Sequence, residues 1–178
     1  MEKPHMLDSE IAAFLTLCRK KAHTGNPIAI VEWGSGYSTK YFTHQLEKEG
    51  IPYTWTSVEH DPDWANNVRK MIAGNPHITL LEVPLGDAYV HAPQGSFDIA
   101  LVDGRMRVAC VAYAKTIAET VLLHDAQRKS YPVTGTYIAP RLKVVGPTQP
   151  LSYIHPLLWK LRIFIWKNTK YRLMHLFR

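Results

Sequence analysis

Short apolar segments that alternate with helical segments constrain the fold of this chain most strongly. The first, "IAIVE" at residues 28 to 32, is β-branched and uninterrupted, as in a strand that is covered on both faces. Further strands are predicted at 53–59, 77–83, 97–103, 120–125 and 141–146. Helices are predicted at 7–22, 38–49, 60–74 and 105–118. This alternation favours a doubly wound, mostly parallel, Rossmann-like α/β sheet with right-handed crossovers and helices on both faces.

The composition predicts one domain followed by a basic extension. A chain of 178 residues with 46% hydrophobic content can bury one substantial core, which we place in residues 1–149. No Asp or Glu follows Asp125, so residues 126–178 carry a charge of +10 while the whole chain carries +6. Any anionic partner is therefore expected to bind the C-terminal third.

The N-terminal residues and the two cysteines predict a cytoplasmic protein. The N-terminus has no charged-then-apolar signal pattern, and no apolar run approaches the roughly 20 residues of a membrane span. Cys18 and Cys110 each lie in a predicted amphipathic helix without a multi-cysteine framework. We expect both to be buried free thiols in a reducing compartment.

The C-terminal extension, residues 150–178, mixes Trp and Phe with six cations. Its apolar residues could cover the edge of the sheet while its cations face water. The same composition also fits peripheral contact with an anionic membrane surface, or phosphate neutralisation and base stacking on nucleic acid. The sequence leaves these three interpretations open.

The stretch "IVEWGSGYST", residues 30 to 39, predicts a ligand-binding turn at the end of the first strand. Glycines let a backbone approach a ligand, and the helix that follows offers free N–H groups to an anionic end. A phosphate-binding P-loop requires a glycine before Lys40, where this chain has Thr39. A dinucleotide fingerprint requires its third glycine at the same position, which weakens binding of NAD.

The ordered motifs of residues 28–146 resemble those of class I S-adenosylmethionine-dependent methyltransferases. "VEWGSG" resembles their first motif, and Glu59 in "TSVEHDPDW" ends the second strand, where such enzymes place an acid on the ribose hydroxyls. "PLGDA" resembles the loop whose acid approaches the adenine amine, and "FDIALVDG" and "VLLHDAQR" resemble the motifs of strands four and five. Many relatives carry Pro-Gly-Gly before strand five, where this chain has residues 118–120, "AET". The resemblance implies S-adenosylmethionine as cofactor, bound by Glu32, Gly34, Ser35, Gly36, Glu59, His60, Asp87 and Asp103.

Methyl transfer to a hydroxyl requires alignment of donor and acceptor and removal of the hydroxyl proton. The candidate catalytic residues follow strands four and five, and Asp103 or His124 could be the base. The set is Asp103, Arg105, His124 and Asp125. Catechol-type O-methyltransferases hold a divalent cation with an Asp after strand four and an Asp-Asn pair after strand five. Asp103 and Asp125 look similar and could hold Mg²⁺ as oxygen ligands, but Ala126 replaces the Asn.

The run from Phe97 to Pro132 also resembles the glucuronoxylan O-methyltransferases and their bacterial relatives, which share a V-D-G after strand four and an H-D after strand five. That likeness implies a sugar or small hydroxylated acceptor. Arg105, Arg107 and Arg128 could then meet the carboxylate of an acidic sugar, or could be solvated helix-start residues.

Three functions follow from these observations. The first is a methyltransferase for a glycan or small-molecule hydroxyl, whose acceptor is covered by the extension or by a second subunit of a homo-oligomer. The second is a nucleic-acid methyltransferase, which the basic extension motivates. The third is a non-catalytic module that keeps the cofactor fold and docks on a membrane or partner.

Overall fold

The computed structural model describes residues 2–22 and 26–146. The described residues up to Gly146 belong to one compact unit. The predicted domain boundary at residue 149 and the predicted extension, residues 150–178, lie outside the described residues.

The described residues form alternating helices and strands, as predicted for an α/β protein. The helices are α1 (Asp8–Ala22), α2 (Tyr37–Lys48), α3 (Pro62–Met71), α4 (Asp87–Val90) and α5 (Arg107–Ile117). The strands are β1 (Ile28–Trp33), β2 (Tyr53–Glu59), β3 (Ile78–Glu82), β4 (Phe97–Val102), β5 (Ala118–Leu123), β6 (Gly135–Ala139) and β7 (Leu142–Val145). Among these residues, no helix is both long enough and apolar enough to cross a bilayer.

The strands form one seven-stranded sheet in the order β3-β2-β1-β4-β5-β7-β6. Strands β1 to β5 pair in parallel, and β7 lies antiparallel between β5 and β6. The chain leaves β1 toward β2 on one side and β4 lies on the other side, so the strand order reverses between β1 and β4. In sheets of this kind the ligand site lies beyond the carboxyl ends of the strands at that reversal.

Both faces of the sheet are covered, because successive side chains of β1 enter two different hydrophobic clusters. Ile28 and Ile30 pack into a cluster that also contains Phe14 of α1. Val31 and Trp33 pack into the cluster on the opposite face. These four side chains are at most 1% exposed, and each contributes roughly 1.5–3 kcal/mol of burial free energy. Helices on both faces of a mostly parallel sheet are therefore confirmed.

The main differences from prediction are at the short elements. The predicted sixth strand corresponds to β7, whereas β6 was not predicted and pairs with it as an antiparallel hairpin. Four of the five β6 residues are exposed, so this edge strand lacks the apolar pattern of a buried strand. Helix α4 has four residues, too few to show a helical period. Cys18 and Cys110 are buried free cysteines, as predicted.

Candidate functional site

The glycine turn after β1 lies against the loop after β4. Gly34 has φ +95°, and its N–H donates to the carbonyl of Val58 at 2.9 Å. A Cβ atom on Gly34 would lie 2.6 Å from Cα and N of Gly104, which is backbone that cannot rotate away. Glycine is therefore required at position 34 both by its conformation and by the contact between the two loops.

The second glycine of the turn lies under a tryptophan of α3. A Cβ on Gly36 would lie 3.2 Å from the Trp64 ring, whose Nε1 donates to the carbonyl of Ser35 at 2.8 Å. Gly36 is also the N-cap residue of α2 and has no side chain to cap the helix. The first-turn N–H groups of α2 thus lack a partner from the N-cap side chain, and no acidic residue lies in that turn. Such a helix start favours an anionic ligand group.

Glu32 joins β1 to β2 and α2. Its side chain is fully buried and accepts hydrogen bonds from the hydroxyls of Ser38 (2.5 Å), Thr39 (2.5 Å) and Ser57 (2.9 Å), and from Nε1 of Trp55 (3.1 Å). Burial raises the pKa of this carboxyl to about 7. The structure therefore gives Glu32 a role in holding the turn from within the protein. Its direct contact with a cofactor stays a prediction.

Glu59, the last residue of β2, lies beside the same turn. Its side chain is buried, and its Oε2 accepts from the Ser35 hydroxyl at 3.1 Å. Its Oε1 accepts from the backbone N–H groups of His60 (2.7 Å) and Asp61 (3.0 Å), and lies 2.8 Å from Nδ1 of His60. The structure thus brings together Glu59, His60 and the glycine turn, which the resemblance implied as parts of one site. Each carboxylate oxygen offers two lone pairs, so Oε2 can accept a further hydrogen bond from a hydroxyl.

Asp87 is placed differently from the other predicted residues. It begins α4, its side chain is 94% exposed, and its Oδ1 lies 3.1 Å from Nδ1 of His91. The predicted contact of Asp87 with adenine stays a prediction.

Sequence reasoning missed the residue of α4 that contacts the site, Tyr89. Its side chain is fully buried, and its hydroxyl accepts from the N–H of Arg105 at 3.4 Å. Its carbonyl accepts from Nε1 of Trp33 at 3.2 Å. Burial raises the pKa of the Tyr89 hydroxyl, so it remains protonated at neutral pH. Tyr89 joins α4 to the ends of β1 and β4, and no periodic pattern in so short a helix could have indicated this.

Asp103, His124 and Asp125 meet at the ends of β4 and β5. Nδ1 of His124 lies 2.8 Å from Oδ1 of Asp103, and Nε2 lies 3.3 Å from Oε2 of Glu10 in α1. The imidazole is buried between these two carboxylates. Burial alone would lower the pKa of His124, but the hydrogen bond to Asp103 and the charges of Asp103, Asp125 and Glu10 outweigh it and raise the pKa.

Glu10 is a second residue that sequence reasoning missed, and it belongs to this cluster. Its carboxylate is fully buried and accepts from N (2.9 Å), Nε (3.1 Å) and Nη2 (2.9 Å) of Arg141, which lies between β6 and β7. The N–H of Leu7 also donates to it at 2.7 Å. Burial opposes ionisation of Glu10, but these hydrogen bonds, together with His124, lower its pKa. Because 131 residues separate Glu10 from Arg141, no sequence motif links them.

Arg107 joins the two strand ends from α5. Its guanidinium donates to the carbonyls of Gly104 (2.9 Å), His124 (2.7 Å) and Asp103 (2.6 Å). It also forms ion pairs with Oδ1 of Asp103 at 3.0 Å and Oδ2 of Asp125 at 3.5 Å. The prediction that Arg107 meets the carboxylate of an acceptor is therefore wrong, because its N–H groups are engaged within the protein and its side chain is only 10% exposed.

Arg105, the other arginine at the start of this segment, is exposed, and its predicted contact with an acceptor stays a prediction.

The residues at the strand ends do not fit a divalent cation. Asp103, His124 and Asp125 offer ligand atoms within 4.8 Å of one another. However, Arg107 lies between the two aspartates, and Asp125 also pairs with Arg128 at 2.6 Å and Arg141 at 3.8 Å. Guanidinium groups at these distances repel Mg²⁺, and both ring nitrogens of His124 already face carboxylates of the protein. The metal site that the catechol-type resemblance implied is thus not supported by this donor set.

Asp103 keeps one oxygen free within this cluster. Its Oδ1 faces His124 and Arg107, whereas no side chain or backbone group of residues 2–22 or 26–146 donates to its Oδ2. Its side chain is 24% exposed, more than that of His124 at 4% or Asp125 at 10%. Asp103 is therefore the most accessible carboxylate of the cluster.

Comparisons with known proteins identify the fold. The sequence matches no protein-family profile and no curated protein. Among solved structures, a protein assigned as a caffeoyl-CoA O-methyltransferase from Staphylococcus aureus superimposes with a TM-score of 0.51 at 13% identity, over 68% of this chain and 59% of that one. An S-adenosylhomocysteine-bound methyltransferase from Podospora anserina gives 0.50 at 14% identity, over 70% and 65%. This chain thus spans less than two thirds of either protein, and it has the fold of class I S-adenosylmethionine-dependent methyltransferases.

Proposed function

We propose that this protein is an S-adenosylmethionine-dependent O-methyltransferase whose acceptor is a sugar or a small hydroxylated molecule. The observation that carries the proposal is the meeting of the Gly34–Gly36 turn, Glu59 and Asp103 at the carboxyl edge of the sheet, where the strand order reverses. The Podospora methyltransferase with this fold binds S-adenosylhomocysteine, the demethylated product.

The residues of this edge fit the cofactor at two points. The buried carboxylate of Glu59 can accept from the two adjacent hydroxyls of a ribose, because its Oε2 is engaged only by the Ser35 hydroxyl among the described residues. The uncapped start of α2 offers N–H groups to the carboxylate of the methionine part. These two sites follow adjacent strands, and Ser35 contacts Glu59 directly.

Asp103 is the residue proposed to act on the acceptor. S-adenosylmethionine, when bound, supplies a methyl group on a sulfonium for in-line transfer to an acceptor oxygen. Oδ2 of Asp103 accepts the proton that the acceptor hydroxyl loses as its oxygen bonds to the methyl carbon. His124 is not proposed as the base, because both of its ring nitrogens face carboxylates within the protein.

Calorimetric titration tests the cofactor site. We expect the protein to bind S-adenosylmethionine and S-adenosylhomocysteine but not NAD, and Glu59→Gln to weaken binding about 10- to 100-fold, since hydrogen bonds to a charged group contribute about 1.5–3 kcal/mol. Glu82→Gln is the matched control, because Glu82 pairs with Glu59 in register on the next strand and forms a surface ion pair with Arg69. Unchanged affinity in Glu59→Gln would show that the cofactor site is assigned wrongly.

Transfer of a labelled methyl group tests the reaction. With a panel of uronic-acid sugars and small phenols as acceptors, Asp103→Asn is expected to lower kcat about 10²- to 10⁴-fold. Transfer to nucleic acid alone, with affinity that falls steeply with salt, would favour the nucleic-acid methyltransferase. Cofactor binding without transfer to any acceptor would favour the non-catalytic module.

A further inference from the structure

Helix α1 brings a fully buried carboxylate to the cluster at the ends of β4 and β5. Glu10 is 0% exposed, although it lies in the first turn of a helix whose neighbouring acid, Asp8, is exposed on the surface. Glu10 is distant in sequence from every other member of the cluster, and the proposed reaction assigns it no task. A buried carboxylate is retained only where hydrogen bonds and charges compensate it.

Glu10 and Asp103 lie at opposite ends of the same imidazole. Oε2 of Glu10 is 3.3 Å from Nε2 of His124, and Oδ1 of Asp103 is 2.8 Å from Nδ1. A carboxylate only accepts hydrogen bonds, whereas a neutral imidazole has one N–H and one lone pair. Both contacts are satisfied together only when both ring nitrogens carry a proton.

The charges of the cluster agree with an imidazolium at this position. Its buried or partly buried members are three acids, Glu10, Asp103 and Asp125, and three bases, Arg107, His124 and Arg141. The surface residue Arg128 pairs with Asp125 from outside. With His124 protonated, the acids and the inner bases balance, so removal of the charge of Glu10 leaves an excess of positive charge around the ring.

We propose that Glu10 is a positioning residue, which fixes the His124 ring so that Nδ1 donates to Oδ1 of Asp103 and leaves Oδ2 as the free proton acceptor. Helix α1 is thereby part of the methyl-transfer site, and its docking sets the orientation of Asp103. The role of Asp103 in this inference rests on the proposed function. The placement of the His124 ring rests on the contacts above.

The state of the His124 ring can be measured by ¹⁵N nuclear magnetic resonance of the wild-type protein and of Glu10→Gln. In the wild type at neutral pH, we expect both ring nitrogens to have the shifts of protonated nitrogen. In Glu10→Gln, the shifts are expected to move toward those of a neutral ring. Asp8→Asn is the control, because Asp8 lies on the same helix but pairs with Lys3 on the surface, and it should leave the His124 signals unchanged.

Kinetics separate positioning from support of the fold. Glu10→Gln is expected to lower kcat for methyl transfer at least about tenfold, because misplacement of a reacting group by about 1 Å can reduce a rate by 10²-fold. Its affinity for S-adenosylmethionine should remain within twofold of wild type, since Glu59 and the glycine turn lie outside the cluster. Glu10→Asp, which restores the charge, should recover the protonated ring signals.

The outcomes distinguish this inference from the proposed function. A wild-type His124 ring with one unprotonated nitrogen at neutral pH would overturn the inference. This measurement uses only the wild-type protein, so it does not depend on whether any variant folds. Unchanged His124 signals in Glu10→Gln, with or without a loss of stability, would also overturn it. If the ring responds as expected but no acceptor is methylated, the placement of His124 stands and the proposed function fails.

Discussion

Substitution of Gly34 by alanine tests whether the two loops of the candidate site require close contact. The added Cβ would lie 2.6 Å from Cα and N of Gly104 and 3.0 Å from the carbonyl carbon of Asp103. All three atoms belong to the backbone, so no side-chain rotation can relieve the contact. The loop after β1 and the loop after β4 would have to separate.

The expected loss of stability has two parts. Gly34 has φ +95°, and placing a residue with a Cβ in this left-handed region lowers the free energy of unfolding by roughly 1–2 kcal/mol. Extra volume in a packed region destabilises by about a further 1–3 kcal/mol. The expected loss is therefore several kcal/mol, compared with a free energy of unfolding of roughly 5–15 kcal/mol for a typical domain.

Two other glycines isolate the second part. Gly74 (φ +82°) and Gly95 (φ +111°) bracket the backbone conformation of Gly34, and a Cβ on either would meet no atom within 4 Å. Urea unfolding followed by tryptophan fluorescence should show Gly34→Ala to be less stable than Gly74→Ala and Gly95→Ala by about 1–3 kcal/mol. Equal losses in all three variants would refute the argument that the loops touch at Gly34.

Three further predictions concern charge. Methyl transfer should be insensitive to chelator and to added Mg²⁺ because guanidinium groups surround Asp103 and Asp125; activity abolished by chelator and restored by Mg²⁺ would contradict this. Burial raises the pKa of Glu32 from 4.5 to about 7, so this group's contribution to stability is complete below about pH 4.5 and is lost as the pH rises through 7. The free energy of unfolding of Glu32→Gln, measured in urea, should lack this fall between about pH 4.5 and 7. An equal fall in the wild type and in Glu32→Gln would contradict the assignment to Glu32. Asp61→Ala should destabilise by about 1 kcal/mol, because the Asp61 side chain caps α3 by accepting from two backbone N–H groups; an unchanged urea midpoint would argue against the cap.

The parallel part of the fold could be predicted because its signals are local. β1 begins with a continuous apolar run, and α3 has an N-cap Asp61 followed by Pro62, as the structure confirms. β6 could not be predicted in this way, since its residues are mostly exposed and its pairing depends on β7. An alternating hydrophobic pattern arises where one face of a strand is buried. β6 is mostly exposed, so its sequence shows no such pattern.

The candidate site was predictable only where its residues end strands. The carboxyl ends of neighbouring parallel strands meet at one edge, so Glu59 and Asp103 could be placed together with the glycine turn from sequence alone. Glu10 and Tyr89 belong to helices that reach this edge through tertiary packing. Glu10 and Tyr89 are buried by contacts with segments that are distant in sequence. The residues next to them in the sequence therefore show no pattern that predicts their burial.

The position of Arg107 places a positive charge between the two carboxylates at the strand ends. Three backbone carbonyls hold its guanidinium between Asp103 and Asp125, so the negative charge that a metal would neutralise is already compensated. An acceptor hydroxyl at this edge would then lose its proton to Oδ2 of Asp103. The chemistry proposed for this site depends on a network from α1, β4, α5 and β5 that leaves Oδ2 of Asp103 without a donor among the described residues. Arg107 contacts Asp103 directly, whereas Glu10 acts on it only through the His124 ring.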